Sequence, residues 1–154
     1  MEMNAFRLVS DFREKFLFGR FGPMTDDFDA PLPVFRDGAL FVLRSPAEVH
    51  SVLFDLRGTA RTMGMADFRG EITGADPIRG GAMCLSVDWR FDGLPQGGTR
   101  VLPVTYWVDG PARRPSIRMV ELRPSARRHP GRARMPVRLG AHHRIGRAPR
   151  WLRA

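Results

Sequence analysis

The stretch APLPVFRDGALFVLRSPAEVHSVL, residues 30–53, decides the fold of this chain. Two extended apolar runs, LPVF and ALFVL, flank Arg36-Asp37-Gly38, where the glycine supplies the positive φ of a tight turn, so the segment reads as a β-hairpin. Directly after it, Ser45-Pro46-Ala47-Glu48 combines an N-cap serine, a first-turn proline and a glutamate three residues on. Ser45 and Glu48 can then each satisfy a free backbone N–H in a capping box, and a helix begins. Its apolar positions Val49, Val52, Leu53, Leu56, Ala60 and Met63 keep a period of 3.6 residues, with Gly64 placed to end it.

Upstream, Ala5, Leu8, Val9, Phe12 and Phe16 fall on one face of a first helix capped by Asn4 and stopped at Gly19. A short second helix is expected over FGPMTDDFDA, with Pro23 at its first position and Phe21, Met24 and Phe28 on one side, ended before Pro31. From residue 65 the period changes to two. MADFRGEIT, AMCLSVDWRFDG, TRVLPVTYWVDG and PSIRMVELR read as four longer strands separated by turns rich in Gly, Pro and Asp. In the second of these, Leu85, Val87, Trp89 and Phe91 point one way, and Cys84, Ser86, Asp88 and Arg90 the other. One sheet face is thus strongly apolar and requires a cover. The expected architecture is α+β, with three N-terminal helices packed on one side of a curved, mainly antiparallel six-stranded sheet.

This order of elements, and the PLPVFRDGALFVLRSPAEV run within it, resembles the nuclear transport factor 2-like superfamily, including its SnoaL-like, polyketide-cyclase-like members. The resemblance covers residues 4 to about 123 and carries no catalytic motif. It implies a cone-shaped barrel whose open end holds an apolar pocket between the helices and the concave sheet face, and a homodimer formed through the outer face. Phe12, Phe16, His50, Phe54, Trp89 and Trp107 are the residues expected to line the pocket. An apolar site of this kind favours a hydrophobic or aromatic small molecule over a sugar or nucleotide.

The catalytic sets of the superfamily do not transfer residue by residue. Ketosteroid isomerases combine an aspartate base with tyrosine and protonated aspartic acid donors, whereas the single tyrosine here, Tyr106, sits in a late strand, and the first helix offers Phe12 and Phe16. Scytalone-dehydratase-like members use a His/Asp pair, and His50 is the only histidine before residue 125. The Asp-Arg-Asp set of the epoxide hydrolases is echoed only by Asp88 and Arg90. His50 near a pocket mouth would suit a general base, although it lies one residue off the apolar stripe, beside Phe54. An isomerase, cyclase or dehydratase therefore stands as the alternative to a binding domain without assignable catalysis. Asp67, Arg69, Glu71, Asp88 and Arg90 read as a charge ladder on the outer sheet face. Asp26, Asp27 and Asp29 lack the spacing of a calcium loop and suit helix termini instead. Neither a metal nor a cofactor is called for.

The net charge of +9 divides unevenly. Residues 1–124 contain all 16 acidic residues and 16 of the 25 basic ones, while residues 125–154 carry nine arginines and no acid. The reading is one domain over 1–124, followed by an Arg-rich tail over 125–154 expected to be disordered in isolation. Nucleic-acid binding through that tail is a further alternative, its arginines suiting nucleic acid or anionic lipid, with His129, His142 and His143 as candidate ligands. Arg, Ala, Pro, Gly and His supply 23 of these 30 residues, a composition that GC-rich DNA also produces when translated outside its proper frame. The lone cysteine, Cys84, excludes an internal disulfide and reads as a small buried hydrophobe. No apolar run approaches the ~18 residues of a membrane span, and the N-terminus lacks the order of a signal peptide, which points to a soluble cytoplasmic protein.

Overall fold

The computed structural model describes residues 4–95, 98–111, 113–124 and 133–150. Three helices, α1 (Ala5–Leu17), α2 (Phe21–Thr25) and α3 (Pro46–Thr62), pack against one large curved sheet. Its strands are β1 (Leu32–Arg36), β2 (Ala39–Leu43), β3 (Asp67–Pro77), β4 (Met83–Leu94), β5 (Gly98–Asp109), β6 (Ser116–Leu122), β7 (Ala133–Arg134) and β8 (Arg144–Arg147). No described helix is long and apolar enough to cross a membrane.

The hairpin is tighter than its sequence suggests. Arg36 pairs with Ala39, which leaves a loop of two residues, not three, and both Asp37 (φ 51°) and Gly38 (φ 75°) adopt positive φ. That is the turn whose twist matches paired strands, and Asp-Gly is among the sequences that tolerate it. At the start of α3, Ser45 accepts the Glu48 N–H at 3.3 Å. The Glu48 carboxylate reaches back one residue further than in the expected box, to the N–H of Arg44 at 2.5 Å. Both longer helices end on the expected glycines, with Arg20 N–H on Lys15 C=O (2.8 Å) and Met65 N–H on Ala60 C=O (3.0 Å) closing the last turns. Pro23 is the third residue of α2, not the first, a position whose N–H also lacks an intrahelical partner.

The strands run in the order β3-β4-β5-β6-β1-β2-β8, and the short β7 pairs with the start of β5. All neighbours are antiparallel except β1 with β6 and β5 with β7. Six strands come from residues 32–122, as the alternation predicts. The sheet reaches eight because residues 133–150, part of the tail expected to be disordered, supply two more. Residues 125–132, with His129, lie outside the described residues.

Helix α1 is seated on the sheet by aromatic packing at a single low point. Phe68 stacks on Trp89 at 4.6 Å, Phe12 stacks on the same indole at 5.2 Å, and Phe16 contacts Phe68 at 4.4 Å. The close approach depends on Gly70 in β3, where a Cβ would lie 2.5 Å from Val9 Cγ1 and 2.7 Å from the Trp89 ring. Arg13 completes the junction, donating to the Phe68 carbonyl at 2.6 Å and to Asp67 at 2.8 Å.

On the outer face the charge ladder forms, but diagonally. The register sets Arg69 opposite Arg90 and Glu71 opposite Asp88, so like faces like, and the ion pairs run from Arg90 to Glu71 and from Arg69 to Asp92 (2.7 Å). Burial works against the charge of Asp92, yet hydrogen bonds from Thr99 and Arg69 outweigh it and hold the carboxyl below its ordinary value.

Two tests follow from these contacts. Gly70→Ala forces a methyl group into Val9 and Trp89 and is expected to cost about 1–3 kcal/mol of unfolding free energy in urea titrations. A carboxylate with a depressed folded pKa contributes stability above its unfolded value of about 3.8, and that contribution is lost as the pH falls. Asp92→Asn should therefore lower the melting temperature at neutral pH, with the deficit against the parent chain closing by about pH 2.

Candidate functional site

The apolar inner face and the helices do not close completely on each other. Between them lies a cavity of about 80 Å³. Phe12 and Phe16 of α1, Val49 and Leu53 of α3, and Phe68 and Trp89 of the sheet form much of its wall. Val52 and Leu56 of α3 and Val137 and Leu139 of the C-terminal segment, all half-buried, also line it.

Of the six residues expected to line a pocket, the structure brings three together there: Phe12, Phe16 and Trp89. His50 and Phe54 lie on the outward side of α3, both exposed, with the two rings stacked at 6.3 Å and both edge-on to Phe21. One step off the apolar stripe rotates a helical residue by about 100°, which is enough to turn His50 away from the cone. Trp107 is half-buried on the opposite face of the sheet, where its neighbours across the strands are Cys84 and Met119. Strand parity decides this: Tyr106, one residue earlier, lines the cavity in its place. Tyr106 was legible as an inward residue, because Leu102, Val104 and Tyr106 alternate and Tyr106 faces Leu85 across the ladder.

Chemically the wall is nearly all carbon. Among the described residues its lining side chains carry two polar atoms, the Trp89 indole nitrogen and the Tyr106 hydroxyl oxygen that accepts from it at 2.7 Å, and these satisfy each other with almost no surface turned to the cavity. Burial pushes the Tyr106 phenol up, so it keeps its proton. No histidine, aspartate or glutamate lines the cavity among the described residues. The carboxylates are engaged elsewhere: Asp88 with Arg123 at 3.2 Å, Asp29 with Arg118 at 3.4 Å, and Asp27 with Lys15 at 2.8 Å. Burial raises the Asp27 carboxyl against the opposing pull of Lys15. Asp27 thus serves as an ion-pair partner of α1, not as a helix-terminal charge. Burial likewise pushes the Cys84 thiol up, opposite to what a nucleophile needs.

Residues 133–150, which contribute Val137 and Leu139 to the cavity lining, are held in place by contacts with the rest of the chain. Met135 N–H donates to the Val101 carbonyl at 3.0 Å, Arg36 holds the Val137 carbonyl at 2.6 Å, and Ala148 N–H reaches the Gly38 carbonyl at 2.7 Å. The buried His143 places Nδ1 3.4 Å from Glu48 at the start of α3. Met135, Val137 and Leu139 alternate with Pro136 and Arg138, a period-two signal that would have found the strap.

No family model matches the chain, and no curated protein matches it in sequence. Solved structures do match in fold. An NTF-2 like protein of unknown function from Shewanella oneidensis MR-1 superposes with a TM-score of 0.57 at 14% identity, covering 75% of this chain and 92% of that one. Aln2 from a Streptomyces species gives 0.57 at 14% identity, covering 75% and 86%. A protein described as a SnoaL-like polyketide cyclase, from Shewanella putrefaciens CN-32, gives 0.52 at 7% identity, covering 76% and 77%. The chain has the nuclear transport factor 2-like fold.

If Leu139 packs in the cavity and His50 outside it, their truncations will differ. Leu139→Ala is expected to lower the unfolding free energy by about 1–2 kcal/mol, as suits a half-buried side chain. His50→Ala should change it by less than about 0.5 kcal/mol. Urea titration of both variants checks the pair, and a larger loss for His50 would contradict the placement.

Proposed function

We propose that this protein binds a small hydrophobic molecule in the cone and acts as a binding domain, without catalysis by its own acid or base. The observation that carries this reading is a cavity wall built of hydrocarbon and aromatic surface in which no carboxylate or imidazole takes part among the described residues. Such a site offers nothing to a sugar or a phosphate, whose polar groups would lose water without gaining partners. Its volume of about 80 Å³ is about half of the ~150 Å³ in which an engineered protein cavity holds benzene. A ligand of that size requires half-buried lining residues such as Val137 and Leu139 to give way.

The isomerase, cyclase or dehydratase reading has fold likeness behind it, but no carboxylate or imidazole lines the wall among the described residues, and His50 faces outward. Pairing of two copies through the outer sheet face is favoured by the half-buried Cys84, Trp107 and Met119 at its middle. A separate role for the C-terminal arginines in holding nucleic acid is favoured by Arg138, Arg144, Arg147 and Arg150. These are exposed and have no carboxylate partner among the described residues.

Toluene, indole, glucose and a nucleoside monophosphate, each added to the full chain in a thermal-melt series, test the ligand reading. Toluene and indole are expected to raise the melting temperature, and more so for Leu139→Ala relative to its own ligand-free value. Stabilisation by the sugar or the nucleotide alone would overturn it.

A further inference from the structure

We propose that residues 136–142 form a lid on the cavity, latched by the bond from Arg36 to the Val137 carbonyl, and that an apolar ligand is admitted when this latch opens and the lid moves out. This rests on the apolar-ligand reading above and adds how access to that site is controlled.

A cavity of about 80 Å³ does not hold a benzene-sized guest, so part of its wall must yield. The half-buried lining residues are Phe28, Val52, Leu56, Val137 and Leu139. Phe28 is bridged to Ile117 through the backbone and stands edge-on to Phe12 at 5.9 Å. Val52 and Leu56 belong to a capped helix, and moving them would carry the buried Val49, Leu53 and Ala60 along. Val137 and Leu139 have no such ties. Residues 136–142 cross from β7 towards β8 without a ladder partner, and two hydrogen bonds tie them to the body of the fold among the described residues. Arg36 Nη1 donates to the Val137 carbonyl at 2.6 Å, and Arg44 Nη1 reaches the His142 carbonyl at 3.4 Å. Both ends of the segment are pinned, by the buried Met135 with its N–H on Val101 and by the buried His143 beside Glu48. A segment anchored at its ends and sparsely bonded between them opens locally at far less cost than the fold as a whole.

The latch and the lining meet in one residue. Leu32 and Val34 stand in the cavity wall, and Arg36 is the next position in the same row of β1. Its guanidinium packs over the Phe41 ring at 5.0 Å, so the donor is held in place while the acceptor is carried by the segment that moves. The carbonyl it grips belongs to Val137, whose side chain lines the cavity. Breaking that bond therefore frees wall and backbone together. In the closed state Val137 and Leu139 fill space that a ligand would take, so lid and ligand compete. A change that weakens the latch must then strengthen ligand binding in proportion to the population it opens.

Toluene, titrated into the full chain and into Arg36→Met, tests the proposal. Methionine keeps an apolar stem over Phe41 and removes the donor. Arg36→Met is expected to bind toluene about tenfold more tightly than the parent, since the bond lost is one from a charged donor. In the methyl-labelled parent, a water-soluble nitroxide should broaden the Val137 and Leu139 methyl resonances more strongly once toluene is bound, and leave those of Val52 and Leu56 unchanged. That comparison needs no variant, so it stands even if Arg36→Met does not fold. Toluene bound with the Val137 and Leu139 methyls as shielded as before would overturn the lid and leave the apolar-ligand reading in place, as would equal affinity in the parent and a folded Arg36→Met. Failure of toluene to bind the parent, Arg36→Met and Leu139→Ala alike would overturn that reading itself, and the lid with it.

Discussion

Trp89 is clasped between Phe68 of the neighbouring strand and Phe12 of helix α1, at 4.6 and 5.2 Å, and most of the architecture answers to that contact. The indole is too large to be covered by the sheet alone, so a helix must come down on it. The helix can come down only because Gly70 leaves room beside the ring for Val9. Once α1 is fixed there, its aromatic face roofs the concave surface on one side. Helix α3 roofs the other, delivered by the hairpin and by Ser45. The space left between the two roofs is the cavity, bounded by side chains too stiff and too well stacked to collapse into it.

Much of this was legible because it is periodic. The 3.6-residue stripe of α1 and α3, the Asp-Gly turn and the serine cap are local chemistry, and local chemistry is written in adjacent residues. Residues 85, 87, 89 and 91 announced an inner face in the same way. Reading failed where a side chain's destination depends on geometry beyond the segment. His50 and Phe54 are aromatic and near the apolar stripe, but the stripe's width in space, not in sequence, decides which side of α3 they take. Trp107 misled through its size, since strand parity had already assigned the inner position to Tyr106.

The C-terminal segment was misread for a different reason. Its composition argues against a core of its own, and it has none. What orders residues 133–150 is borrowed: backbone bonds to Val101 and Gly38, the Arg36 guanidinium on Val137, and three alternating apolar residues laid on a surface that the rest of the chain prepares. Composition measures whether a segment can bury itself, and is silent on whether a neighbour will bury it. The strap also narrows the cavity, because Val137 and Leu139 take up space in its lining.

The same strap acts beyond the cavity. Strand β8 lies along β2, which would otherwise be the terminal strand of the sheet, with a row of unpaired amide and carbonyl groups facing water. Such a row is a template for any extended chain that meets it, and β8 occupies it with Arg144 and Arg147 at its ends. The strand that now forms the margin is therefore four residues long and positively charged at both ends, so a second molecule offering the same margin is repelled. At this margin of the sheet the arginines thus stand where like charge disfavours strand-to-strand pairing, whereas the opposite margin is the longer strand β3.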